Sequence, residues 1–341
     1  MPTTPVSPAN DKHYLGFAKQ TAKGSAAVPV YFAAFIEALD LTHNHAVRRV
    51  HEGGTGHYIA RAIRDSIMPG VRFAAPARPS LFGAIMAMFL GADSVAGAAD
   101  PFTHTITPAD TTTWLSIEHN INDELIERLV DAFILEVQLD IRKRDAGPEA
   151  VLLVTAGGLS AVRQASATSE SYEAGRPMLR SDAAWTIDGN TVTNVERASV
   201  TMRWAFDESI LADAVTRLDV AKLGFTAEVE TVQLFNSTQD AIDYKETHYR
   251  SGAADGTGTA YSETVYGMGG TDDFTVDFTY TDREAKLTIP SVAWEDAKVS
   301  GPDPAASEAA RLTRSGFLVK PASGAAITAI AKSAVSTSYV A

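Results

Sequence analysis

The chain has 341 residues, 45% hydrophobic and 21% charged, enough to bury one large core or two of ordinary size. It contains no cysteine, which excludes disulfides, thiolate metal sites and cysteine nucleophiles together. A formal net charge of −13 argues against a protein that grips nucleic acid, because that affinity comes from Lys and Arg neutralising phosphates.

Residues 1–12, MPTTPVSPANDK, carry three prolines and no apolar segment, and read as a mobile arm rather than a signal peptide. A strand is expected over 38–50. The stretch HYIARAIRDSI, 57–67, is ambiguous between helix and strand by periodicity. The run 80–91 predicts a helix entered through Pro79 and Ser80 and closed by Gly91. It is the most apolar run of the chain, yet short of the roughly 20 residues that cross a bilayer, so no membrane partner is expected.

Strands follow near 113–121, 132–142 and 150–156. The second of these sets Phe133, Leu135, Val137, Leu139 and Ile141 against Glu136, Gln138 and Asp140. The polar stretch SATSESYEAGRP suggests a linker at 166–180, between a first β domain at 13–165 and a second at 181–341. In the second half, strands are expected at 192–206 and 223–235. The latter separates Val229 from Glu228 and Glu230. A helix at 237–249 has Ser237 as N-cap and Asp240 at the capping-box spacing. Strands near 274–281, 285–293 and 316–320 precede an Ala/Ser-rich C-terminal arm at 322–341. Period two with one wet face marks antiparallel sheets packed on one side. Each half reads strands, one helix, strands, a repeat of order without residue identity.

Few residues suggest chemistry. His43, His45, His51 and His57 cluster in sequence, and a His-x-His pair on a strand shares one face, as metal ligands do. No carboxylate beyond Glu52 sits at a familiar spacing, and no metal or other cofactor is expected. His104 and His119 flank a Pro-Ala-Asp turn and read as members of one structural hairpin. Ser116 lies near His119, but no Gly-x-Ser-x-Gly elbow exists. The runs GGTG and GMGG lack a following Lys-Ser/Thr. Asp240 and Asp243, one helical turn apart, read as a solvated face. Nothing here makes an enzyme.

Three stretches together resemble the tail tube (major tail) proteins of long-tailed bacteriophages. In YLGFAKQTAKGSAAVPVYFAAF, 14–35, residues Gly16, Lys19, Gly24 and Pro29 fall on the opening seen in many of them. RPSLFGAIMAMFLGAD, 78–93, is similar to their single helix with a terminal glycine. FTHTITPADTTTWLSIEHNI, 102–121, is similar to their His-Thr-x-Thr-Pro-Ala turn and following strand. The likeness covers about the first 160 residues well and the rest in outline.

The resemblance implies a mainly β chain of two tandem sandwich domains, each flanked by one helix. It implies a structural virion protein, made in the host cytoplasm, that stacks in rings as a hollow tail tube. Its partners would be further copies of itself, a tape measure protein, tail terminator and tip proteins, and double-stranded DNA passing without tight binding. Three chains could supply the barrel that six single-domain relatives build, with six chains as the second choice. Glu136, Asp140, Glu228 and Glu230 would then face the lumen. Ile210, Leu211, Val215 and Leu218, in one of two loops at 45–57 and 207–222, would contact the next ring. The alternative is a β-sandwich adhesin or glycan-binding module, though Trp114, Trp185, Trp204 and Trp294 mostly sit in strand patterns rather than at loop tips.

Overall fold

The computed structural model describes residues 13–33, 36–50, 59, 61–141, 149–207, 220–249, 257–261, 273–301 and 309–341. In chain order the strands are β1 (His13–Lys19), β2 (Tyr31–Phe32), β3 (Ala38–Val50) and β4 (Arg61–Pro76), then helix α1 (Pro79–Leu90). Next come β5 (Gly91–Ala96), β6 (Phe102–Pro108), β7 (Leu115–Ile121), β8 (Leu125–Ile141) and β9 (Ala150–Arg163). The second half holds β10 (Ala183–Ile187), β11 (Asn190–Val192), β12 (Val195–Asp207), β13 (Ala221–Leu234) and helix α2 (Thr238–His248). It ends with β14 (Phe274–Tyr280), β15 (Arg283–Ile289), β16 (Val292–Ser300), β17 (Arg311–Leu318) and β18 (Thr328–Ser333). The ambiguous stretch near 61–67 is strand.

Two antiparallel sheets result. The larger contains the ladder β3-β4-β9-β8-β12-β13-β17-β16, with β7, β1 and β2 branching from β8. β9 holds one edge of β8 along its length, while β7 and β12 share the other edge end to end. The smaller sheet runs β11-β10-β14-β15-β18-β6-β5. Both cross the expected boundary between halves, so 13–165 and 181–341 are fused through β8–β12 and β6–β18 rather than packed as separate units.

The ladder repeats its own register. A bulge between Ile134 and Glu136 lies opposite Ala156 and Thr155, and the same bulge recurs between Trp294 and Asp296 opposite Gly316 and Ser315. The hairpin β3–β4 slips between Ala46 and Val47, as β12–β13 does between Ala205 and Phe206. Val71 faces Ala156 as Val229 faces Gly316. Strand for strand, β3-β4-β9-β8 and β12-β13-β17-β16 are one pattern laid down twice. The first bulge also moves Phe133 and Leu135 off the face of Val137, against the alternation read from sequence. They join a small separate cluster with Leu159 and Val220.

One core joins both sheets around α1, in which every residue but Ser80 is buried. A helix apolar all round belongs inside. Pro79 opens it, and Gly91 closes it at φ 107°, where its N–H reaches the Ala87 carbonyl. Its first turn is capped from afar: the Glu173 carboxylate accepts from the backbone N–H of Ser80 (3.0 Å) and Leu81 (3.4 Å). The segment 166–180, expected as a linker, is therefore a packed strap.

The C-terminal arm is likewise part of the core. β18 lies between β15 and β6, and Tyr339 packs so closely on α1 that a Cβ on Gly83 would come within 2.7 Å of its ring. Small residues Ala329 and Ala331 let the helix approach.

Asp240 and Asp243 are buried, not solvated. Asp240 completes the capping box with Ser237 and accepts from Gln233 and Asn194. Asp243 binds Arg314 at 3.1 Å, and Arg314, fully buried, also holds Asp188 at 2.6 Å while stacking on Trp294. Burial pushes the Asp243 carboxyl up, and the Arg314 guanidinium pulls against that.

Replacing Arg314 by Met would leave two buried carboxylates without their cation. We expect a loss of about 3–5 kcal/mol in urea denaturation at neutral pH. The loss should shrink as pH falls and Asp243, whose carboxyl burial pushes up, protonates.

Candidate assembly interface

His104 and His119 do not share a hairpin. β6 lies in the smaller sheet, paired with β5 and β18, and β7 lies in the larger. The turn at 109–114 is a crossover between sheets, a distinction two alternating strands cannot announce. His104 is fully buried, with Nδ1 3.1 Å from Asp93 and Nε2 2.8 Å from the Val335 carbonyl, its ring against Tyr339. Burial alone would push its pKa down, but Asp93 and the Val335 carbonyl together raise it. Its partners come from β5 and the C-terminal segment, so it locks that segment in place.

His119 is buried with neither ring nitrogen hydrogen-bonded, and burial pushes its pKa down. Its Nε2 is 3.8 Å from Glu127, whose Oε2 lies 2.9 Å from His43 Nε2. His51 and His57 lie outside the described residues, as does the side chain of His45. Among the described residues no group of three or more His, Asp and Glu is arranged to hold a metal ion. An open cavity beside β10 and β11 is lined by Arg180, Ser181, Trp185 and Val192, without a carboxylate or imidazole.

The distinctive surface is the wet face of the long ladder. Paired residues run in rows across it, and Asp140, Ser199, Glu230 and Ser315 form one. Gln138, Thr201 and Glu228 form the next. A third reads Asp40, Arg72, Thr155, Glu136, Arg203 and Thr226. Glu136, Asp140, Glu228 and Glu230 therefore share one face, opposite the buried Val137, Leu139, Val200 and Val229. The face is mixed rather than purely acidic. Arg203 Nε lies 2.5 Å from Glu136, and Gln138 Nε2 donates to Ser199 Oγ at 2.8 Å.

The ends of the ladder are edges. Among the described residues, β3 pairs only with β4, and β16 only with β17. At one end of the ladder the two hairpins project as arms of equivalent position. β3 continues to Val50 and β13 begins at Ala221, so parts of the expected loops 45–57 and 207–222 are strand. Ile210, Leu211, Val215 and Leu218 lie outside the described residues. Sequence reasoning missed the two edges, since an unpaired edge is a property of sheet order and not of any local pattern.

The raised pKa of His104 sets a pH dependence. Its contribution is fully present below the ordinary value of about 6.5 and is lost as pH rises through the higher folded value. Melting temperature should fall across that window, and His104→Gln should flatten the slope there; an unchanged slope would assign it to other groups. The sequence matches no protein-family model and no curated protein.

Proposed function

We propose that this chain is a tail tube protein: a structural subunit that closes into rings, stacked as a hollow conduit for double-stranded DNA. The observation that carries the reading is the ladder β3-β4-β9-β8-β12-β13-β17-β16, one four-strand pattern present twice with an edge strand at each end. Three such ladders joined end to end give a closed barrel of about 24 strands, with an opening on the order of 40 Å. Closure also removes the edges that would otherwise invite uncontrolled pairing.

Both halves lie in the same sheet, which favours three chains per ring over six chains with an outward second half. The wet face, with Glu136, Asp140, Glu228 and Glu230, becomes the lumen wall. Arg203 is paired with Glu136 and Arg72 stands opposite Asp40, so sliding phosphates meet little net positive charge there. Residues 43–50 with 61–69, and 204–207 with 221–225, pair only with each other among the described residues, and these strand ends suit contact with the next ring. A tape measure protein and tail terminator and tip proteins would set length and ends, in a virion assembled in the host cytoplasm.

Electron microscopy of the purified protein tests the reading. Hollow tubes are expected, with three chains per ring and pseudo-six-fold symmetry. Discrete monomeric particles would remove the proposal, and six chains per ring would remove its stoichiometry. Serine at Leu211, Val215 and Leu218 together should leave a folded protein, by circular dichroism, whose rings no longer stack.

A further inference from the structure

The repeated register carries the ring reading down to individual residues. It specifies which residues meet where one copy ends and the next begins. Inside the chain, the second strand pattern joins the first through β8–β12, with Ile141 opposite Ala198, Leu139 opposite Val200, and Gln138 opposite Thr201. The shift that carries Ile134 to Trp294 carries Leu139 to Val299 and Gln138 to Lys298. The shift that carries Ala46 to Ala205 places Leu41 at the position of Val200, and Asp40 at that of Ser199.

We infer that β16 of one copy pairs antiparallel with β3 of the next in the register of β8 on β12. Val299 then stands opposite Leu41 of the next copy, and Lys298 opposite Thr42 beside Asp40. The inference rests on the ring reading above and gives it a residue-level seam.

Three observations support it. Leu139 is 1% exposed, whereas Val299, at the equivalent place on an edge strand, is 39% exposed. An apolar side chain at that place is covered once a neighbouring strand lies alongside. Next, the contact Gln138–Ser199 across the internal ladder becomes Lys298–Asp40 across the proposed one, a neutral hydrogen bond replaced by opposite charges. Lys298 already holds Asp296 at 2.9 Å, with the lysine side chain 77% exposed, a surface pair that rearranges at little cost. Third, α1 packs on β8 beside the internal ladder, and α2 packs on β16 in the equivalent place.

Charged residues on an edge strand can also serve to repel other strands. Here Lys298 and Asp40 carry opposite charges across the proposed seam, which recruits rather than repels. His248 Nε2 lies 2.8 Å from the Ala297 carbonyl on β16. A carbonyl has two lone pairs, so a ladder bond can form without expelling the imidazole.

The cysteine-free chain makes the test clean. Two double variants, Val299→Cys with Leu41→Cys and Lys298→Cys with Thr42→Cys, place thiols at successive pairs. Such pairs alternate between wide and close spacing, so at least one falls within disulfide reach. Oxidation of assembled protein should give covalent dimers and trimers on a denaturing gel. The control Val299→Cys with His43→Cys, slipped by two residues, should not. Separately, Lys298→Glu should raise the concentration needed for ring formation by about tenfold or more, and adding Asp40→Lys should restore it. Rings that assemble but cross-link only in the slipped control, or not at all, would overturn this register and leave the ring reading standing. A chain that stays monomeric at all concentrations would overturn both.

Discussion

The ladder between β8 and β12 is the contact on which the rest depends. β8 meets β9 along one edge and divides the other between β7 and β12. Without the β12 segment, β6–β18 would be the one strand ladder left between the two halves among the described residues. The ladder buries Leu139, Val137, Val200 and Met202 on one side, and fully burying such side chains contributes about 1.5–3 kcal/mol each. Trp204 then ties the junction to α1, its indole N–H donating to the Phe89 carbonyl at 2.9 Å. Helix end, ladder and second half are held by the same few side chains.

Buried polar groups pin the loops that cross this framework. Glu118 takes Arg128 at 2.5 Å and a short hydrogen bond from Tyr14, and both Tyr14 and Glu118 accept from the Thr168 backbone N–H. A segment of serines, threonines and glutamates is thereby laid against β1 and β7 instead of wandering. Groups of this kind are costly when broken, so they restrict the chain to one arrangement more than they add to its stability.

Much of this was legible in the sequence. The long strands announce themselves because one face is wet, and α1 is framed by Pro79 and Gly91. Other features depend on partners far along the chain. Asp240 and Asp243 look solvated until Arg314 and Gln233 arrive from β17 and β13. β18 lacks a bulky apolar signature because its buried Ala329 and Ala331 lie close under α1, where larger side chains would not fit. The bulge at Leu135 hides inside an unbroken alternation, and neither β6 nor β7 carries any mark of which sheet it joins. The shared wet face of Glu136, Asp140, Glu228 and Glu230 was visible strand by strand, while its alternating charge required the strand order.

Fusion of two patterns in one chain frees equivalent positions to diverge. In a ring of identical single units, each carboxylate would recur at every step around the circle. Here the place of Glu230 is taken in the other half by Arg72, that of Glu228 by Gly70, and that of Asp140 by Ser300. A wall built from such chains would repeat its charge pattern at half the angular frequency of its strand pattern. Duplication therefore doubles the number of surface sites that can be tuned independently, while the backbone geometry of each half stays the same.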